Sequence, residues 1–314
     1  MKLSLVVPCF NEQDNVQPFY EAVEGAFRGV IRDYEIVFVN DGSVDKTAEN
    51  LKVLFNYHPD RVQVLSFSRN FGKEAAIYAG LSHAKGDLVC IIDADLQQRP
   101  EVVIEMLQVM AEDDAVDCVA AYQANRRESK ALSTLKSAFY KVINKIAEVD
   151  FVNGASDFRL MKRPMVDAII SLSERQRFSK GIFSWVGFNT RYIPYDVAER
   201  QSGETKWSVY KLFKYAFDGI VSFSTFPLKI ATGVGLLTSA LSVLYLFIVI
   251  IQKLAFGIDV PGYATIVVLV LFLGGMQLFC LGILGEYISK IFIQSKNRPI
   301  YILKEHLSKD EREA

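Results

Sequence analysis

Asp87-Leu88-Val89-Cys90-Ile91-Ile92-Asp93-Ala94-Asp95-Leu96-Gln97 is the stretch whose reading decides the fold. Leu88 to Ile92 is apolar without alternation, which predicts a strand buried on both faces, as in a parallel sheet covered by helices. Two carboxylates follow with one residue between them. Alternate residues at a strand end share a face, so Asp93 and Asp95 are expected to approach one metal–nucleotide complex. Gln97 continues the alternation and could add an amide oxygen. Mg²⁺ and Mn²⁺ take oxygen ligands and bridge to phosphate oxygens. By itself the triplet is a weak signal, because solvated acids often follow a strand. Its place after a fully apolar strand gives it weight.

Working outward, the same pattern repeats. Residues 2–7, 35–39, 62–67 and 117–121 read as further short strands, and helices are expected at 14–28, 45–56, 72–83 and after Pro100. Short apolar strands alternating with helices predict a mostly parallel sheet covered on both faces. In such sheets ligands bind beyond the carboxyl ends of the strands. The polar clusters at 8–12, 40–45, 68–73 and 93–97 all fall there. Pro8-Cys9-Phe10-Asn11-Glu12 forms a loop whose backbone and carboxylate can hold a planar base and a ribose. Asp41, ahead of Gly42 and Ser43, is free to accept hydrogen bonds from such a ligand, whereas Ser43 reads as a helix cap. Arg69 and Lys73 are read at the substrate edge, with helix capping and solvation as the alternative. No G-x-G-x-x-G follows the first strand, which counts against a dinucleotide oxidoreductase.

Lys130, Lys136, Lys141 and Lys145 mark a basic helix over 130–148, and 150–207 reads as irregular, in the manner of lids and acceptor loops. Trp207 to Phe226 interleaves aromatics with Lys211 and Lys214, as in an amphipathic helix lying at a membrane surface. Two apolar segments, 230–251 and 263–285, are each long enough to cross a bilayer. Lysines and arginines flank both outer ends, so the large domain is expected on the cytoplasmic side. Gly274, Gly275, Gly282 and Gly285 allow close packing within a hairpin or between protomers, or are simply tolerated in a span.

Lys+Arg number 35 against Asp+Glu 36, a net charge of −1 that gives no global field for nucleic acid. Cys9, Cys90, Cys118 and Cys280 are scattered without a C-x-x-C pair, as expected of reduced, buried thiols. His58, His83 and His306 lie outside every motif and read as surface residues. The apolar run at the N-terminus is too short for a signal peptide and reads as the first strand.

A polar α/β part closed by two membrane-length segments points to an enzyme that moves a group from a soluble nucleotide donor to a membrane-held acceptor. The alternative of another class is a membrane-anchored nucleotide-sugar binding module without transferase activity.

An ordered set of motifs sharpens this: Val7-Pro8-Cys9-Phe10-Asn11-Glu12, Asn40-Asp41-Gly42-Ser43, Ser68-Arg69-Asn70-Phe71-Gly72-Lys73-Glu74, Asp93-Ala94-Asp95-Leu96-Gln97 and Ser156-Asp157-Phe158-Arg159-Leu160-Met161. Phe226-Pro227-Leu228, Leu284-Gly285-Glu286-Tyr287-Ile288 and Arg298-Pro299 complete it. Over nearly its whole length the chain resembles family 2 glycosyltransferases of GT-A (Rossmann-like) α/β fold. More narrowly it resembles the bacterial polyprenyl-phosphate glycosyltransferases of the bactoprenol glucosyltransferase type, with dolichyl-phosphate mannose synthases more distant.

The resemblance implies that Pro8, Asn11, Glu12 and Asp41 hold the uridine and that Asp93 contacts the donor near sugar and diphosphate. It implies that Asp95 and Gln97 bind Mg²⁺ or Mn²⁺, and that Asp157 stands at the acceptor side of the reacting carbon, with Asp93, Asp95 and Asp157 forming the catalytic set. Arg200 and Lys206, assisted by Arg126, are implied in binding phosphates; relatives often carry an arginine directly after the fifth strand, where this chain has Tyr122-Gln123. Absence of Gln-x-x-Arg-Trp argues against a processive polysaccharide synthase. The implied reaction is metal-dependent, inverting transfer of a hexose, glucose first, from a UDP-sugar to undecaprenyl phosphate at the inner (plasma) membrane. UDP-N-acetylhexosamine, UDP-4-amino-arabinose and GDP-mannose are alternative donors. The expected plan is a cytoplasmic GT-A domain over 1–206, an interfacial region over 207–226, two transmembrane helices within 227–292 and a cytoplasmic tail over 293–314. The expected assembly is a homo-oligomer, such as a tetramer, in the lipid bilayer.

Overall fold

A computed structural model describes residues 1–123, 144, 155–172, 174–196, 221, 224–256 and 262–310. The chain divides into two units: Met1–Lys145 with Val149–Leu212 and Arg298–Ala314, and Ile146–Glu148 with Phe213–Asn297.

The first unit is built on β1 (Leu3–Cys9), β2 (Tyr34–Asn40), β3 (Val62–Phe67), β4 (Leu88–Ile91), β5 (Cys118–Gln123), β6 (Ala155–Lys162), β7 (Thr190–Tyr195) and β8 (Leu303–Leu307). Helices α1 (Val16–Phe27), α2 (Thr47–Tyr57), α3 (Lys73–His83), α4 (Glu101–Glu112), α5 (Arg163–Ser171) and α6 (Ser179–Trp185) connect them. Among the described residues the strands form one sheet in the order β7-β5-β6-β4-β1-β2-β3-β8. β4, β1, β2 and β3 run parallel, and β1 lies where the chain winds first one way and then the other. β2 is buried at every position, the signature of a strand covered on both faces. α1 presents Val16, Phe19, Tyr20, Val23 and Phe27 to the sheet at helical spacing, and Phe19 meets Phe38 edge to face at 5.9 Å. α3 approaches so closely that a Cβ on Gly80 would sit 2.2 Å from Val6 Cγ1.

The expected strands and helices up to residue 123 are all present, with ends shifted by at most two residues. The stretch from 150 to 207 is not irregular as expected: its described part holds β6, α5, α6 and β7. β6 runs antiparallel to both β4 and β5. Its charged Asp157 and Arg159 mask the apolar pattern, yet Arg159 is 4% exposed, with its guanidinium carbon 3.7 Å from the centroid of the Phe183 ring. The segment set apart as a tail returns to the sheet: β8 pairs antiparallel with β3. His306 bonds Gln63 (2.6 Å) and its ring meets that of His83, while His58 stacks on Tyr20. These three histidines are therefore packed and partly buried rather than surface residues.

The expected basic helix over 130–148 lies outside the described residues except Asn144, which is helical. The expected interfacial helix over 207–226 does so too, except Val221 and residues 224–226.

The second unit contains α7 (Phe226–Phe256) and α8 (Tyr263–Ser295). Phe226–Gln252 and Val268–Ser295 are long and apolar enough to cross a membrane. Tyr287 Oη donates to the Ser224 carbonyl at 2.7 Å, and Thr232 and Thr238 donate back to Leu228 and Val234 carbonyls, so these hydroxyls are satisfied without water. A Cβ added at Gly274, Gly275, Gly282 or Gly285 meets nothing within 4 Å. None of the four therefore marks a close approach of α7 to α8.

Candidate active site

A cleft opens at the carboxyl ends of β1, β2 and β4, where Pro8, Glu12, Asp41, Asp93 and Asp95 meet as expected. The loops that build its rim are tied to each other. Asn11 has φ 57 and its Oδ1 accepts from Val44 N at 3.0 Å, while its own N–H donates to Ser43 Oγ at 3.0 Å. Glu12 N donates to Thr47 Oγ1 at 2.8 Å. Ser43 thus braces the first loop and is not the expected cap; Asp45 Oδ1 instead accepts from Thr47 N at the start of α2.

Asp41 is not free in the way the sequence led one to expect. It is buried, and its carboxylate accepts from Phe71 N (2.6 Å) and Gly72 N (2.9 Å). Burial raises its pKa above the ordinary carboxylate value, against the lowering effect of those two amides and of Arg69. Gly42 beside it has φ +64, and a Cβ there would lie 2.4 Å from the Arg69 carbonyl carbon. The residue-68–72 loop is therefore clamped on the end of β2. Arg69 lies over the Phe71 ring (4.2 Å) and donates to the Asn70 carbonyl, a local role rather than helix capping.

Asp93 and Asp95 lie in a turn after β4, not on its extended end. Leu96 at φ 58 breaks the alternation, so Gln97 engages Asp95 by its backbone N–H (3.2 Å to Oδ1), a different contact from the one expected. Gln98, which the sequence reading missed, is 6% exposed; its Oε1 accepts from Asp93 N (2.8 Å) and its Nε2 donates to Asp93 Oδ2 (3.1 Å). Among the described residues no three His, Cys, Asp or Glu converge as a metal cage. Mg²⁺ and Mn²⁺ are commonly held by one or two carboxylates plus substrate phosphates. The hard oxygen donors of Asp95 and its neighbours in this cleft fit an ion that arrives with a diphosphate.

Asp157, on β6, comes to the same centre. Its Oδ2 is 3.4 Å from Lys73 Nζ, and its buried Oδ1 has no hydrogen-bond partner among the described residues. Burial alone would raise its pKa, but the charges of Lys73, then Lys180 and Arg159, outweigh it and hold the carboxyl below its ordinary value. Asp157 does not pair with Arg163, which donates to the Ala84 and Gly86 carbonyls; Arg159 donates to the Ser156 carbonyl. Arg126, Arg200 and Lys206 lie outside the described residues.

Glu74, next to Lys73, was also missed. It accepts from Ser179 N at 2.8 Å and from Ser179 Oγ, joining α3 to α6. Burial, reinforced by the Asp157 charge, pushes its carboxyl from 4.5 up to about 7. Between those values the folded protein holds a proton that the unfolded chain has released, so stability falls as pH rises through that window. Glu74→Gln keeps an acceptor for Ser179 and removes the titration. The detergent-solubilised native chain is expected to lose more melting temperature than this variant between about pH 5 and about pH 7.5. Parallel curves would show that Glu74 ionises as an ordinary carboxyl.

Residues 4–170 match the model of glycosyl transferase family 2, and residues 226–291 match that of the GtrB C-terminal hairpin. The chain is 44% identical to the putative glycosyltransferase CsbB of Bacillus subtilis (strain 168), over 96% of this chain and 91% of that protein. It is 44% identical to the bactoprenol glucosyl transferase of Shigella phage SfV, over 98% of this chain and 100% of that one. A glucosyl-3-phosphoglycerate synthase from Mycobacterium tuberculosis, solved with Mn²⁺, UDP and phosphoglyceric acid, shares the fold. There the TM-score is 0.50 at 15% identity, covering 70% of this chain and 76% of that one. With a GT-A sheet, its cleft at the carboxyl ends of the strands, and a two-helix hairpin over residues 226–291 of the sequence, the chain belongs to glycosyl transferase family 2 and is a glycosyltransferase.

Proposed function

We propose that the protein transfers glucose from UDP-glucose to undecaprenyl phosphate at the cytoplasmic face of the inner membrane, with inversion at the anomeric carbon and in the presence of Mg²⁺ or Mn²⁺. One observation carries this reading: Asp93 and Asp95 line one cleft, and Asp93 and Asp157 share Lys73, in a chain that also has two membrane-length helices. The name of the phage relative supports glucose and a bactoprenol acceptor. The Mn²⁺ and UDP in the mycobacterial synthase structure agree with a metal-assisted uridine nucleotide donor.

The uridine is held against Pro8, Asn11, Glu12 and the loop that Asp41 clamps. A lipid phosphate is largely ionised near neutral pH, so its oxygen needs little general-base help to attack the anomeric carbon in line with departing UDP. The main tasks of the protein are then alignment and charge stabilisation. Asp157 accepts from a hydroxyl of sugar or acceptor at its unpartnered Oδ1 and orients it. Asp95, with Gln97 beside it, holds the divalent ion, which supplies Lewis-acid stabilisation of charge developing on UDP. Arg200 and Lys206, aided by Arg126, bind the acceptor phosphate at the membrane surface, and protomers associate through their hairpins as a homo-oligomer.

The test is transfer of radiolabel to undecaprenyl phosphate in detergent, from a panel of UDP- and GDP-sugars with Mg²⁺ or Mn²⁺. Labelled lipid from UDP-glucose, lost with EDTA, is expected. Labelled lipid from another sugar would reassign the donor, and nucleotide binding without any labelled lipid would favour a binding module. Arg200→Ala is expected to raise the acceptor KM roughly 10–100-fold, the worth of one hydrogen bond to a charged group, while UDP affinity is unchanged. Unaltered acceptor kinetics would remove Arg200 from the acceptor site.

A further inference from the structure

One cation stands between the donor and acceptor sides of this centre. Lys73 opens α3, directly after Gly72, whose N–H is held by Asp41. Its Nζ lies 2.6 Å from Asp93 Oδ1 and 3.4 Å from Asp157 Oδ2. The sheet itself brings those carboxylates together. β4 and β6 are antiparallel neighbours with Ile91 opposite Arg159. The pairing ends there, and Asp93, two residues past Ile91, and Asp157, two residues before Arg159, lie beyond the same end of the pair. Two carboxylates near one end of a strand pair repel, and here one ammonium from a helix lies within reach of both. The start of α3 is in turn anchored on both sides, by Asp41 on the β2 end and by Glu74 on Ser179 of α6.

We propose that Lys73 is the positioning residue of the transfer: its ammonium sets the placement of Asp157 relative to the donor-side turn, and so the alignment of a nucleotide-bound sugar with an acceptor phosphate. This rests on the glycosyl transfer proposed above. Lys73 acts through Asp157, not as a ligand of the diphosphate, and that distinction is measurable.

Lys73→Met removes the ammonium and keeps most of the side chain's bulk. It is expected to lower kcat about 100-fold, the size of effect produced by misplacing a reacting group by about 1 Å. The dissociation constant for UDP with Mn²⁺, by calorimetry, should stay within about threefold, well under 1 kcal/mol by the usual conversion. Lys73→Arg, which keeps the charge, should recover at least about a tenth of the native rate, though its planar fork is an imperfect substitute for a point charge. In an Asp157→Asn background, Lys73→Met should add less than about threefold, since residues acting as one unit are not additive. A crystal structure of Lys73→Met should show the Asp93 and Asp157 carboxylates turned apart.

A tenfold or greater loss of UDP affinity in Lys73→Met would make Lys73 a phosphate ligand and overturn the proposal. So would its full penalty in the Asp157→Asn background, or an unmoved Asp157 in the variant structure. The structure and the UDP affinity decide the matter even if the native chain fails to use UDP-glucose with undecaprenyl phosphate, an outcome that would sink the donor and acceptor assignment instead.

Discussion

Asp95→Ala is expected to reduce transfer from UDP-glucose to the lipid phosphate by about 10³-fold, the upper range for removing one preorganised charge-stabilising group. The side chain sits in the turn after β4, bordering the cleft, and its Oδ1 is braced by Gln97 N. Asp93 cannot take over, because its oxygens are engaged by Lys73 and Gln98. The variant should fold normally, since the residue lies at a partly open rim and carries little of the core. UDP affinity should become insensitive to Mn²⁺ in the variant, whereas in the native chain Mn²⁺ should strengthen it. Near-native turnover by purified Asp95→Ala would sink the metal assignment, and retained Mn²⁺ dependence of UDP binding would move the ion to other residues.

Asp41→Ala should combine a folding defect with a donor-binding defect. Its carboxylate is the shared acceptor for the half-buried Phe71 and Gly72 amides, and a fully buried donor left unsatisfied would cost about 1–3 kcal/mol, an upper bound for each. The lost charge was itself disfavoured by burial, which offsets part of the penalty. A net loss of about 2 kcal/mol is expected from these opposing effects, read as a lowered melting temperature. The 68–72 loop should then loosen, and UDP affinity should fall even though Asp41 itself is largely committed to the protein. Asp41→Asn retains one acceptor oxygen and should lie between the two. Asp41→Ala with native stability but weakened UDP binding would instead make Asp41 a direct nucleotide ligand.

How much of this was legible beforehand depended on the local pattern. β1, β2, β3 and β4 are nearly continuous apolar runs because helices cover both faces, and their positions follow from that run alone. α1 follows from its helical spacing. β6 did not, because Asp157 and Arg159 break an apolar reading that only burial against Phe183 and Lys73 makes tolerable. β8, Leu303-Lys304-Glu305-His306-Leu307, is a polar edge strand whose partners on β3 are far away in sequence, as Gln63 and His306 show. No window of sequence contains that pairing.

The site divides along the same line. Asp93, Asp95 and Asp157 stand in motifs, and Pro8, Glu12 and Asp41 end strands whose carboxyl termini must share one edge of a parallel sheet. Sequence by itself therefore determined the fold class, the edge that carries the cleft, the residue types that suit a metal–diphosphate and the two membrane-length helices. Only the tertiary structure decided how the charges are paired: Lys73 between Asp93 and Asp157, Gln98 on Asp93, Glu74 on Ser179 and Asp41 on the 71–72 amides. The physical reason is range. Apolar periodicity is set by neighbours along the chain, whereas a buried charge is stable only when a partner from another element reaches it, and that partner is chosen by the packing of the sheet and its helices.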